Sequence, residues 1–235
     1  MADPTVVLAH GAFADASSWR GVFEALNSDG RRVIAPAIPL RGLASDAEYV
    51  SAITSSVEGP VLLVGHSWGG AVITVAGVAE NMVGLVYVAG FAPDEGETLG
   101  GLQAGFPAPP AASHFLPAQI PGGVEVTIDP AAFAEVFAAD VDPADAAFMA
   151  IAQRPLSAKA LEEPASVAAW KTKPSWAVLP TMDRAIHPDL HRFAYERAGA
   201  RTSEVPGASH AVLISHPEAV AEVITEALSS VPAQV

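Results

Sequence analysis

Val61-Leu62-Leu63-Val64-Gly65-His66-Ser67-Trp68-Gly69-Gly70-Ala71-Val72-Ile73 is the stretch around which the rest of the chain is arranged. Its first four residues, all apolar, read as a strand buried on both faces. A turn follows at once, and then a run that can be helical. Gly65-x-Ser67-x-Gly69 fills the turn, and the spacing has a steric reason. A strand that passes abruptly into a helix forces the turn residue into a strained backbone conformation. Its neighbours two positions away must then be nearly free of side chain. Ser67 is held out at the carboxyl end of the sheet, above the positive end of the following helix.

The bulk properties narrow the field. A chain of 235 residues without a long polar linker fits one α/β domain, 1–235, with an insertion, and can bury a substantial core. A net charge of -14 disfavours nucleic acid and anionic membrane surfaces as partners. The absence of cysteine excludes disulfide scaffolds, thiolate metal sites and cysteine catalysis. Met1-Ala2-Asp3-Pro4 brings no basic segment before the apolar run at 6–9, which is too short for a signal-peptide core or a membrane span. A cytoplasmic protein is the expectation. A homodimer remains open.

In chain order, residues 5–9 read as a strand ending in His10-Gly11-Ala12-Phe13. Ser17 or Ser18 is placed to cap a helix carrying Trp19, Val22, Phe23 and Leu26, which Gly30 stops. A second strand spans 32–35. Ser45-Asp46-Ala47-Glu48 has the capping-box pattern for a helix with Val50, Ile53, Thr54 and Val57 on one face. After the central stretch comes a strand at 83–89. Strands alternating with helices imply parallel crossovers and a doubly wound, mostly parallel sheet of about six strands. From roughly 92 to 174 the alternation lapses. Proline and alanine crowd 106–121, residues 124–128 fit a short strand, and helical patches follow. This segment is expected to be a helical cap insertion, with some aromatic residues facing the space above Ser67. Strands resume at 175–180 and 202–205, around a helix marked by Leu190, Phe193, Ala194 and Arg197. Ser215-His216-Pro217-Glu218 repeats the capping-box pattern before the last helix.

A serine hydroxyl needs a base to take its proton, and the base needs a third group to orient it. In a parallel sheet the three meet only if each follows the carboxyl end of a strand. Ser67 follows one strand, Asp183 the penultimate one and His210 the last. That chain order, Ser, Asp, His, is the one expected of an α/β-hydrolase.

Together with His10-Gly11-Ala12, Gly65-His66-Ser67-Trp68-Gly69-Gly70, Asp183-Arg184-Ala185-Ile186 and Gly207-Ala208-Ser209-His210, this order resembles the α/β-hydrolase superfamily over essentially the whole length. Within it the chain is similar to the small serine esterases grouped with plant methylesterases and hydroxynitrile lyases. The resemblance implies Ser67 as nucleophile, His210 as general base and then acid, and Asp183 as the orienting carboxylate. It also implies a cofactor-free oxyanion hole from the backbone N–H groups of Ala12 and Trp68. The lyases tend to carry threonine after the first histidine and lysine after the catalytic one. Gly11 and Ala211 stand there instead, which points to ester hydrolysis.

Rivals stand beside these assignments. Asp94 occupies the other place where the fold can keep its acid, and Asp189 reads as a first-turn charge. His10 and His66 read as turn-packing residues, and His187, His191 and His216 as surface or cap residues. No zinc pattern emerges from the seven histidines, so no metal is expected. The function that follows is hydrolysis of a small, mostly uncharged carboxylic ester or lactone through an acyl-enzyme. Lyase or perhydrolase activity on the same triad, or a small-molecule receptor with vestigial hydrolysis, are the alternatives.

Overall fold

The computed structural model describes residues 3–27 and 30–231, so the Met1-Ala2 start lies outside the described residues. The chain runs β1 (Thr5–Ala9), α1 (Arg20–Asn27), β2 (Val33–Ile34), α2 (Leu43–Ser55), β3 (Val61–His66), α3 (Trp68–Ala76) and β4 (Met82–Val88). There follow α4 (Leu99–Ala104), β5 (Phe115–Ile120), β6 (Gly123–Ile128), α5 (Pro130–Phe137), α6 (Pro143–Ile151) and β7 (Leu156–Ser157). The last part is β8 (Ser175–Pro180), α7 (Pro188–Arg197), β9 (Arg201–Val205), α8 (Val212–Ser215) and α9 (Pro217–Ser230).

Six strands form one sheet in the order β2-β1-β3-β4-β8-β9, and every neighbouring pair is parallel. Both faces are covered, as the continuous apolar runs require. Val7, Val61 and Leu63 enter one core with Ile73 of α3 and Leu190 of α7. Val6, Leu8, Leu62 and Val64, pointing the other way, enter a second core with Val22 of α1 and Ile224 of α9. The strand order reverses direction at β1 and β3, and ligands of open α/β sheets bind beyond the carboxyl ends near such a point.

The segment between β4 and β8 departs from the expected helical cap with one short strand at 124–128. It holds α4, α5 and α6 but also an antiparallel sheet, β5-β6-β7. β5 contains Pro117, which the proline-rich reading of 106–121 passed over. At a sheet edge, proline forfeits no ladder hydrogen bond on its outer side. Phe133, Val136 and Phe137 of α5 join Ile128, Ala146 and Ala150 in a third core, into which Ala211 also packs.

Local helix signals were less dependable than strand signals. Asp15, rather than Ser17 or Ser18, caps the short 3-10 turn Ala16–Trp19 ahead of α1, accepting the Ser17 N–H at 2.7 Å. Phe23 and Phe193 lie on the outer sides of α1 and α7. Neither capping box forms. α2 begins at Leu43 with Gly42 at its N-cap, and α9 begins at Pro217 without a side-chain cap. Asp46 has turned inward to a partner 22 residues further on.

Candidate active site

Ser67 sits between β3 and α3 with φ 52° and ψ -118°. A non-glycine residue with positive φ is strained, and this one is held by its surroundings. The Ser67 N–H donates to Val88 O, and Ser67 O accepts from the N–H groups of Gly70 and Phe91. The flanking glycines are dictated by close approach. A Cβ on Gly65 would lie 2.4 Å from Gly69 O, and one on Gly69 would lie 2.2 Å from Ala9 O. Gly11 is confined too: its Cβ would lie 2.7 Å from Ser67 Cβ and 2.8 Å from His66 Nδ1. A side chain at position 11 would therefore displace the serine itself.

Asp183 and His210 follow the carboxyl ends of β8 and β9 and meet in the interior. His210 Nδ1 lies 2.7 Å from Asp183 Oδ2, and neither side chain is more than 1% exposed. Asp183 Oδ1 accepts the N–H groups of Ala185 and Ile186 at 2.8 and 2.9 Å. Burial alone would push the Asp183 carboxyl upward. The charge and hydrogen bonds of His210 and His191 outweigh burial and hold it well below the usual carboxylate range. An ionised carboxylate only accepts, so each ring facing it must present an N–H.

The other groups of the site fall into place around this pair. Ala12 follows β1, and Trp68 is the first residue of α3, where an N–H has no partner within the helix. Neither amide N–H meets a protein acceptor among the described residues. Ala12, Trp68, Ser67 and His210 all border one cleft. The remaining wall is apolar except for Gln103 and comes largely from the insertion: Phe115, Ile128, Phe137, Leu156 and Leu161. No permanently charged side chain among the described residues lines it.

Asp94 does not join this group. It pairs with Lys171 at 2.5 Å and is partly exposed. Asp189 makes a first-turn pair with Arg192, and His187 caps α7 by accepting the Asp189 N–H. His216 is partly exposed beside Asp140. His10 bonds the turn after β1: its Nδ1 reaches Gly11 O and its Nε2 accepts the Ile38 N–H, both at 2.9 Å. Two site-bordering residues escaped the sequence reading. Asp46, fully buried, accepts the Trp68 indole N–H at 2.9 Å and the Arg41 N–H at 3.2 Å. His191, read as a surface residue, is buried against Asp183 at 3.0 Å. Both histidine and tyrosine of the face Leu190, His191, Ala194 and Tyr195 point inward, a helical spacing that was open to inspection.

A family model for the alpha/beta hydrolase family matches residues 6–223. The chain belongs to that family. Solved structures similar to this α/β-hydrolase include a pyrethroid hydrolase from Sphingobium faniae JZ-2, at TM-score 0.80 and 22% identity over 97% of this chain and 98% of that one. A polyneuridine aldehyde esterase superposes at TM-score 0.82 with 19% identity, covering 96% and 99%. A methylesterase from Arabidopsis does so at 0.80 with 16% identity, again covering 96% and 99%. At such identities the likeness concerns the fold. Curated proteins gave no match.

His66 supplies a pH prediction. Its Nε2–H donates to His210 O at 3.0 Å, while its buried Nδ1 has no hydrogen-bond partner among the described residues. Burial, with the neighbouring His210 adding to it, lowers the His66 pKa from 6.5 to about 3. The unfolded chain therefore binds a proton that the folded one refuses between those limits. The stability due to neutral His66 is complete above pH 6.5 and is lost toward pH 3, by about 1.4 kcal/mol per pH unit for one proton. His66→Gln keeps an N–H for His210 O and removes the titration. Urea midpoints measured from pH 7 to pH 4 should fall less steeply in the variant than in the wild type. Parallel falls would show that His66 does not carry this dependence.

Proposed function

We propose that this α/β-hydrolase cleaves small, uncharged carboxylic esters or lactones through an acyl-enzyme on Ser67. The observation that carries the reading is the 2.7 Å contact between Asp183 Oδ2 and His210 Nδ1, beside the same cleft that the strained Ser67 borders. With Nδ1–H committed to the carboxylate, His210 Nε2 is left unprotonated and can take the Ser67 hydroxyl proton. The Ser67 oxygen adds to the ester carbonyl carbon. The carbonyl electron pair moves to oxygen, where the Ala12 and Trp68 N–H groups stabilise it, each donor supplying about 3 kcal/mol. On collapse, the leaving alkoxide takes the proton from His210 Nε2–H. Water then gives a proton to the same nitrogen and adds to the acyl carbon. On collapse the bond from that carbon to the Ser67 oxygen breaks, the Ser67 oxygen takes the proton back from Nε2–H, and the acid leaves.

The apolar wall and the absence of permanent charge favour an uncharged acyl or alcohol group over an ionised one. The crowding at Gly11 favours ester hydrolysis over cyanohydrin cleavage, because a threonine hydroxyl cannot be accommodated there beside Ser67.

The test is a series of p-nitrophenyl esters from acetate to octanoate, a carboxylate-bearing succinate monoester, and mandelonitrile. Hydrolysis of the neutral series is expected, with the succinate monoester discriminated against and no cyanohydrin cleavage above background. Brisk mandelonitrile cleavage, or preference for the charged ester, would contradict the reading.

A further inference from the structure

His191 occupies a position that packing does not explain. Its side chain is fully buried on α7, with its ring stacked on that of Tyr195 at 5.4 Å and 20°. Nε2 lies 3.0 Å from Asp183 Oδ2, the same oxygen that takes His210 Nδ1. Nδ1 is buried with no hydrogen-bond partner among the described residues. A buried ring nitrogen without a partner is destabilising, so an apolar side chain would suit the packing better. The polar contact with Asp183 is the gain that offsets this loss. Because the carboxylate only accepts, the Nε2 of His191 carries the proton and Nδ1 is the idle nitrogen.

We propose that His191 is a positioning residue for the reaction: its Nε2–H fixes the Asp183 carboxylate and shares its charge, so that His210 is oriented and its proton is not held too tightly. This inference rests on the triad reading given above. Asp183 Oδ1 is fixed by two backbone N–H groups and Oδ2 by two imidazoles, so the carboxylate has no freedom to rotate. α7 carries the anchor at both ends of one helical turn. Four residues beyond His191, the Tyr195 hydroxyl donates to Gly90 O and accepts the Gly90 N–H, at 2.9 and 2.8 Å. The next residue, Phe91, donates its N–H to Ser67 O. One helix thus references the acid and the serine turn to a common frame.

The titratable groups facing this cluster are Tyr195 on α7, Tyr87 on β4, and His66 at the end of β3. His10, at the end of β1, acts through His66. Burial raises both phenols and lowers both His66 and His10, which keeps all four neutral near pH 7. The effect of removing the His191 N–H on the pH profile should therefore come through Asp183 and His210.

The test compares His191→Leu, His191→Asn and His191→Gln with the wild type. Glutamine can bring an N–H to the place of Nε2. Asparagine is polar but stops near the place of Nδ1, so it covers the case in which leucine fails to fold. Folded Leu and Asn variants should lose about 10- to 100-fold in kcat/KM, the scale of a small misplacement of a working group. The acid limb of kcat/KM should move to higher pH, because the undivided carboxylate charge holds the His210 proton more tightly. Glutamine should restore both. Proton NMR of the His210 Nδ1–H, which reports the bond to Asp183 without any turnover, should shift in Leu and Asn and return toward wild type in Gln. A merely structural His191 would leave the acid limb and this resonance unmoved while lowering the melting temperature, and that result would overturn the proposal. If the wild type shows no ester turnover, the triad reading fails, yet the resonance still decides whether His191 positions Asp183 and His210.

Discussion

Ser67→Ala is expected to lower kcat/KM for p-nitrophenyl esters about 10⁴- to 10⁶-fold, the range seen when a serine nucleophile is removed. The fold should stay intact. What Ser67 contributes to the turn is its backbone, whose N–H meets Val88 O and whose carbonyl takes two N–H groups, and alanine keeps all three bonds. Alanine also keeps the Cβ against which Gly11 is fitted, so neither the sheet nor the elbow has reason to move. The φ of 52° is strained for alanine as it is for serine, which leaves the difference in stability small. Steady-state turnover measured beside the thermal midpoint separates the two effects. Near-wild-type turnover in a folded variant would move the nucleophile elsewhere.

Asp183→Asn should cost about 10⁴-fold in turnover, whereas Asp94→Asn should leave it within about a factor of two. The reason lies in the four donors around Asp183. The amide oxygen of asparagine stays with the Ala185 and Ile186 N–H groups, because its NH₂ cannot accept them. The NH₂ is then turned toward His210 and His191, whose N–H groups it can no longer receive. His210 must present an unprotonated Nδ1, which puts its proton on Nε2 and removes the base. Asp94 has no such role: its carboxylate faces Lys171, whose ammonium holds it below the usual carboxylate range, with the Glu95 N–H as a further donor. Comparing the two variants on one ester checks the assignment. Greater damage from the Asp94 change would transfer the acid role to that residue.

The parts of this molecule that could be read in advance are those fixed by strong local rules. Val61–Val64 had to be a doubly buried strand because no polar residue interrupts it, and it pairs with β1 and β4 on both sides. Gly65 and Gly69 announced the elbow because a Cβ at either would lie 2.4 and 2.2 Å, respectively, from a backbone carbonyl oxygen. Strand order then placed Ser67, Asp183 and His210 at one end of the sheet. Where tertiary contacts overruled local pattern, the reading failed. Ser45-Asp46-Ala47-Glu48 has the letters of a capping box, but the Trp68 indole draws Asp46 into the interior. The spacing of Leu190, Phe193, Ala194 and Arg197 marks the helix α7, but the face it buries is Leu190, His191, Ala194 and Tyr195. β5 was hidden by Pro117 and by exposure of most of its residues, since an edge strand over a cleft shows no clean alternation. The aromatic residues expected above Ser67 do come from the insertion, as Phe115 and Phe137.

The central claim is that Ser67 is an activated nucleophile. A fluorophosphonate probe tests it directly, because the Ser67 oxygen must attack phosphorus and expel fluoride to form a stable bond. Intact-mass measurement followed by peptide mapping should find one probe per chain, on the peptide carrying Gly65-His66-Ser67-Trp68-Gly69, with esterase activity lost in step with labelling. Ester hydrolysis that persists in fully probe-treated protein, with Ser67 unmodified, would contradict it.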